Sequence, residues 1–192
     1  MNSEQIKQML ERVREGTLGV DDAVLALKHL PFEDLGFATL DHHRTLRQGV
    51  PEVIFCQNKT IDEIIEIIKR LRLYQHPVLA TRVMPDAFES LKIQFPDALF
   101  YERSKTITLG AQPEESGIGN VLVACAGTSD LPIAEEAAVT AQFTGSRVTR
   151  LTDVGVAGIH RLLGRLDVIR AANVIVVIAG MEGALASVIG GL

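Results

Sequence analysis

Cysteine is scarce and basic residues are outnumbered, and both shortages narrow what the chain can be. Only Cys56 and Cys125 occur, each inside an apolar run. That pattern suits reduced, buried thiols rather than a disulfide framework or a metal motif, so a cytoplasmic compartment is expected. Lys and Arg number 19 against 24 Asp and Glu, a formal net charge of -5, which excludes a broad basic footprint for duplex nucleic acid. An anionic ligand would need a locally built site. The N-terminus has no basic region followed by an apolar stretch, so it does not read as a secretory leader. No apolar run is long enough for a membrane span, because Glu182 and several glycines interrupt Val174 to Leu192. No internal repeat is evident.

What is present is 192 residues, 47% hydrophobic and 22% charged, enough for one ordinary globular domain or two small ones. The two halves are unlike. The first 109 residues carry 30 charges and four glycines, whereas the remaining 83 carry 13 charges, twelve glycines and no lysine. The turn formers from Gly110 to Gly119 mark a boundary, dividing the chain into residues 1–109 and 110–192.

In the first part, Ser3 to Arg14 and Asp21 to Leu30 carry apolar residues at helical spacing and read as a helical hairpin. Short strands are predicted at Phe37–Asp41 and Pro51–Gln57. Thr60 and Glu63 have capping-box spacing ahead of Ile64, Ile65, Ile68 and Leu71, which predicts a helix from Thr60 to Tyr74. A strand at Val78–Val83, a helix at Pro85–Gln94 and strands at Ala98–Tyr101 and Lys105–Leu109 complete a small α+β unit. The second part alternates strand (Asn120–Ala126), helix (Leu131–Phe143), strand (Arg147–Leu151), helix (Ile159–Ala172) and strand (Val174–Ala179). This order and the near-continuous apolar strands predict α/β architecture, with a parallel sheet covered on both faces. Ligands in such a sheet bind at the carboxyl ends of the strands.

The residues after each strand are therefore the candidate site. Gly127 admits close backbone approach, Thr128 and Ser129 offer hydroxyls, and a helix N-terminus follows. The same stretch also reads as an ordinary turn capped by Ser129 or Asp130, and it matches neither the dinucleotide fingerprint nor the P-loop. Asp153, after the second strand, fits a ribose or proton-transfer contact and equally a turn or cap; His160 reads as a helix-start residue. Glu182 follows Gly180 and Met181 at the end of the third strand, where a carboxylate is costly unless solvated, hydrogen-bonded or used. A charge at a helix N-terminus is its simpler reading. In the first part, Arg44 and Arg47 could grip phosphate through planar forks or belong to a solvated loop. The pair His42 and His43 lacks a third metal ligand.

Four ordered stretches carry a resemblance: ATLDHHRTLRQGVPEVIFCQNKT (Ala38 to Thr60), VACAGTSDLPIAEEA (Val123 to Ala137), TDVGVAGIHRLL (Thr152 to Leu163) and VIAGMEGALASVIGGL (Val177 to Leu192). Together they resemble the LarB family, pyridinium-3,5-biscarboxylic acid mononucleotide synthases of nickel-pincer cofactor biosynthesis. The second half is more distantly similar to the purine-pathway carboxylase and mutase acting on aminoimidazole ribonucleotide. The resemblance implies a Rossmann-like, PurE-like second domain. It also implies carboxylation of the pyridinium ring of nicotinic acid adenine dinucleotide at C5 by CO2 or bicarbonate, with release of AMP, and magnesium on the pyrophosphate. Asp130, Asp153 and Glu182 become candidate catalytic residues. Gly127, Thr128, Ser129, Gly180 and Met181 become candidate substrate contacts, with Arg44 and Arg47 for phosphate. A homo-oligomer, with an octamer as one arrangement, is the implied assembly.

Family members continue past the Gly-Gly-Leu at residues 190–192 to the cysteine that attacks the ring. The chain is therefore expected to be truncated and not to complete the reaction alone. The purine reading is disfavoured, since Ala184 stands where that enzyme has a loop histidine. A catalytically inert nucleotide-binding module is the alternative from another class.

Overall fold

In a computed structural model the protein is described over residues 3–27, 32–110 and 119–192. Helices α1 (Ser3–Arg14) and α2 (Val20–Leu27) form the predicted hairpin, and the chain leaves α1 through Gly16 at φ +73°. The hairpin buries little beyond Met9 and Ala23. The predicted end of α2, to Leu30, and the core of the predicted boundary, residues 111–118, lie outside the described residues. A two-stranded ribbon follows, β1 (Glu33–Asp34) with β2 (Thr39–Leu40). Next is α3 (Arg44–Gln48), a short helix ended by Gly49 at φ +75°, where the sequence reads only as a loop; five residues are too few to show helical periodicity.

The first half is organised by α4 (Ile61–Leu73) against a four-stranded sheet. Thr60 and Glu63 form the predicted reciprocal cap: the Glu63 amide donates to Thr60 Oγ1 at 3.2 Å and the Thr60 amide to Glu63 Oε2 at 2.7 Å. The face so positioned buries Ile64, Ile65, Ile67, Ile68 and Leu71. Sheet order is β3 (Val53–Phe55), β4 (Val78–Thr81), β6 (Thr106–Leu109), β5 (Leu99–Tyr101), with α5 (Pro85–Gln94) between β4 and β5 in the chain. The β3–β4 pair is parallel and the others antiparallel. Every predicted strand of this half is present in shorter form, because apolar runs continue past the last ladder bond.

The second half holds a three-stranded parallel sheet ordered β8 (Val148–Leu151), β7 (Val121–Cys125), β9 (Val174–Ile178). On one side of β7, α6 (Leu131–Phe143) packs Ala134 and Ala138 against Val123 and Cys125. On the other, α7 (Ile159–Leu163), α8 (Leu166–Arg170) and α9 (Ala184–Gly190) bring Leu162, Ile169, Leu185 and Ile189 onto Leu122 and Ala124. Two expectations change. The single helix over Ile159–Ala172 is interrupted at Gly164 and Arg165, where glycine lowers helix propensity by about 1 kcal/mol relative to alanine. Coverage of the sheet is also incomplete, since α6 reaches β7 but leaves Val174 and Val176 of β9 exposed.

The halves meet through α6. Its Val139 and Phe143 form a buried cluster with Leu79 of β4, against which Tyr101 packs, and Glu136 accepts a hydrogen bond from Arg82 Nε at 2.7 Å. No helix among the described residues is long and apolar enough to cross a membrane.

Two stability tests follow from these contacts. Thr60→Ala removes one arm of the cap on an otherwise intact helix and is expected to cost about 1 kcal/mol in a urea titration. His76 is buried beside His42, their rings stacked with centroids 5.8 Å apart. Burial above all, with His42 adding, brings its pKa down to about 4. The unfolded chain therefore binds the proton more readily, and stability should fall as pH drops from about 6.5 to about 4. His76→Gln should flatten that part of the pH profile of unfolding; an unchanged slope would show that other groups set it.

Candidate active site at the strand crossing

The chain runs from the central strand β7 to β8 on one side, then crosses to β9 on the other. The connections thus diverge at the carboxyl ends of β7 and β9, the place where a parallel sheet opens a crevice. A cavity of about 390 Å3 lies there. Backbone bonds stitch its three loops together. Ala126 N donates to Ile178 O at 3.0 Å, Val154 N to Cys125 O at 3.2 Å, and Gly155 N to Ala126 O at 2.8 Å. Gly155 is required by that last approach: a Cβ there would sit 2.9 Å from the Ala126 carbonyl oxygen.

Asp130, Asp153 and Glu182 all line this cavity, as do Gly127, Ser129, Gly180 and Met181. Residues more than fifty positions apart in sequence thus share one site. Asp130 Oδ2 accepts the Gly127 amide at 2.8 Å, which ties the carboxylate to the loop and leaves Oδ1 toward Gly180, 4.0 Å from where a glycine Cβ would stand. Asp153, in the left-handed region at φ +59°, pairs with Arg161 at 2.7 Å. Glu182 is exposed at the mouth, so solvation answers the cost that burial would impose. Met181 and Gly183 flank it at φ +54° and +71°, forming the tight turn that presents it.

Thr128 is exposed and outside the lining, and His160 is also exposed. Arg161 is the lining residue that the sequence does not single out. Its only signal is its place in the helical turn that faces Asp153, which a one-dimensional reading cannot see. Three carboxylates against one guanidinium make the cavity locally negative. Arg44 and Arg47 lie in the first half and do not line it. Arg47 forks onto Asp41 at 2.6 and 3.1 Å, and this hydrogen-bonded pair holds the Asp41 carboxyl below its ordinary range. Cys125 is fully buried in β7, and Cys56, also buried, has its thiol pushed up to about 12 by desolvation. Neither buried thiol is in position to attack a ligand in the cavity.

Residues 32–112 match the LarB/PurE-like N-terminal domain. An uncharacterized protein of Methanocaldococcus jannaschii is 35% identical over 193 residues, covering 96% of this chain and 75% of that protein. The chain belongs to the LarB/PurE-like family. The domain match covers most of the first half and ends just past it, at residue 112, whereas the similarity to the archaeal relative also takes in the half that builds the cavity. The LarB/PurE-like family is of carboxylase or mutase type, and the strand-crossing cavity is where acid–base residues converge in this member.

Gly155→Ala is expected to cost about 1–3 kcal/mol, because the new methyl group meets a backbone oxygen that is held by a hydrogen bond. Gly190→Ala, with open space around the same position in α9, should be neutral or slightly stabilising. Thermal unfolding of both variants checks the contrast.

Proposed function

We propose that this LarB/PurE-like protein carboxylates the pyridinium ring of nicotinic acid adenine dinucleotide at C5, with the ring in the strand-crossing cavity. The observation that carries the reading is the charge of that cavity. Asp130, Asp153 and Glu182 against Arg161 attract a cationic ring and supply a base, and they disfavour a phosphate in the same place. The β8-β7-β9 order supports a Rossmann-like, PurE-like arrangement for this half.

A pyridinium is electron-poor and does not attack CO2. A thiolate must first add to the ring, giving a dihydropyridine whose enamine carbon forms the new bond to CO2. Glu182, solvated at the mouth, then takes the proton from that carbon, and expulsion of the thiolate restores aromaticity. The resemblance assigns the thiolate to a cysteine, a role that the buried Cys56 and Cys125 are not placed to fill. Water cleaves the phosphoanhydride to release AMP and the carboxylated mononucleotide. Asp130 holds the loop around Gly127, and Asp153 orients substrate through Arg161. Magnesium in this reading would be held by the substrate's pyrophosphate.

The test incubates the protein with nicotinic acid adenine dinucleotide, magnesium and 13C-bicarbonate, followed by mass spectrometry. Labelled carboxylated mononucleotide and AMP are the expected products. Glu182→Gln should lower label incorporation about 100-fold or more, with dinucleotide affinity changed only slightly. Binding without any labelled product would replace this reading with that of an inert nucleotide-binding module.

A further inference from the structure

A second cavity, of about 480 Å3, opens between the two halves on another side of the α6 N-terminus. Its charge is the reverse of the first. Arg82, Arg103 and Lys105 line it against the single carboxylate of Glu136, a local excess of two positive charges on a chain whose net charge is -5. Glu136 is already engaged by Arg82, and Arg103 and Lys105 have no carboxylate partner among the described residues.

The sheet itself creates this excess. The β4–β6 register pairs Val78 with Leu109, Leu79 with Thr108 and Ala80 with Ile107. β4 ends at Thr81 and β6 begins at Thr106, and just past that ladder Val83 N donates to Lys105 O at 2.8 Å, which gathers Arg82 and Lys105 at one end of the sheet. Both residues also hold left-handed backbone, at φ +57° and +52°, as does Asn58 on the same wall at +67°. Side-chain-bearing residues in that region cluster where function maintains them. Met84 and Ile133, 56% and 43% exposed, form an apolar side with Pro132, and Gln57, Asn58 and Ser104 complete the lining.

We propose that this cleft between the halves, where Arg82, Arg103 and Lys105 face the apolar surfaces of Met84, Pro132 and Ile133, binds a phosphate monoester carried on a flat apolar body. A free 5′-mononucleotide has that chemistry. The assignment rests on the cleft's own charge and walls and stands apart from the carboxylation reading.

Calorimetry of the 192-residue chain with AMP and with adenosine tests it. AMP should bind saturably, at least tenfold more tightly than adenosine, and its affinity should fall with added salt. The double variant Arg103→Gln, Lys105→Asn keeps a residue tolerant of left-handed backbone at position 105. It should retain the wild-type melting temperature, lose at least tenfold in AMP affinity and leave adenosine binding unchanged. Glu182→Gln, in the other cavity, should leave AMP affinity unchanged, so failure here is distinguishable from failure of the carboxylation assay. AMP should still bind after saturation with nicotinic acid adenine dinucleotide; if the dinucleotide blocks it, the cleft belongs to the dinucleotide's own site and the proposal of a separate mononucleotide site is overturned. Absence of AMP binding, equal affinity for AMP and adenosine, or wild-type AMP affinity in the double variant would overturn the proposal.

Discussion

Helix α6 has to satisfy two cores at once, and most of the structure depends on how it does so. Ala134 and Ala138 are small enough for the helix to lie close on β7. A quarter to half turn around, Val139 and Phe143 are large enough to reach Leu79 in the other sheet. Such a helix has little amphipathic character of its own, because apolar residues are needed on two sides. Its N-terminal turns are consequently left as a partition, with Ser129 and Asp130 facing one cavity and Pro132 and Ile133 the other.

That partition separates opposite charges. The strand-crossing cavity is rich in carboxylates and the cleft between the halves is rich in cations, so a ligand carrying both signs meets complementary fields on either side of one helix. Neither field follows from overall composition, which is mildly acidic throughout. Both come from positions brought together by strand order and register, the first by the β8-β7-β9 crossing and the second by the end of the β4–β6 ladder.

Much of the local structure was legible in the sequence. The Thr60 and Glu63 pair announced α4, and strand-helix alternation announced the parallel sheet. Three glycine-containing strand-end loops announced where a crevice would open, and Asp130, Asp153 and Glu182 do converge there. What was not legible depends on long-range placement. Arg161 enters the cavity only because α7 starts beneath Asp153, and Arg82 and Lys105 are 23 positions apart in sequence and become neighbours through antiparallel pairing. The break at Gly164 was hidden because the apolar pattern runs on across it. The exposure of Val174 and Val176 was hidden because apolar composition says nothing about which strand a covering helix reaches.

The rim of the strand-crossing cavity is tied by main-chain bonds from Ala126, Val154 and Gly155 to Ile178, Cys125 and Ala126. Such a frame is nearly indifferent to side-chain identity apart from the glycine at 155. Of the acidic groups that project from it, Asp130 holds the Gly127 amide and Asp153 holds Arg161, whereas Glu182 can be exchanged without moving a neighbour. A scaffold of that kind lets descent alter the groups at the rim while the geometry is inherited intact.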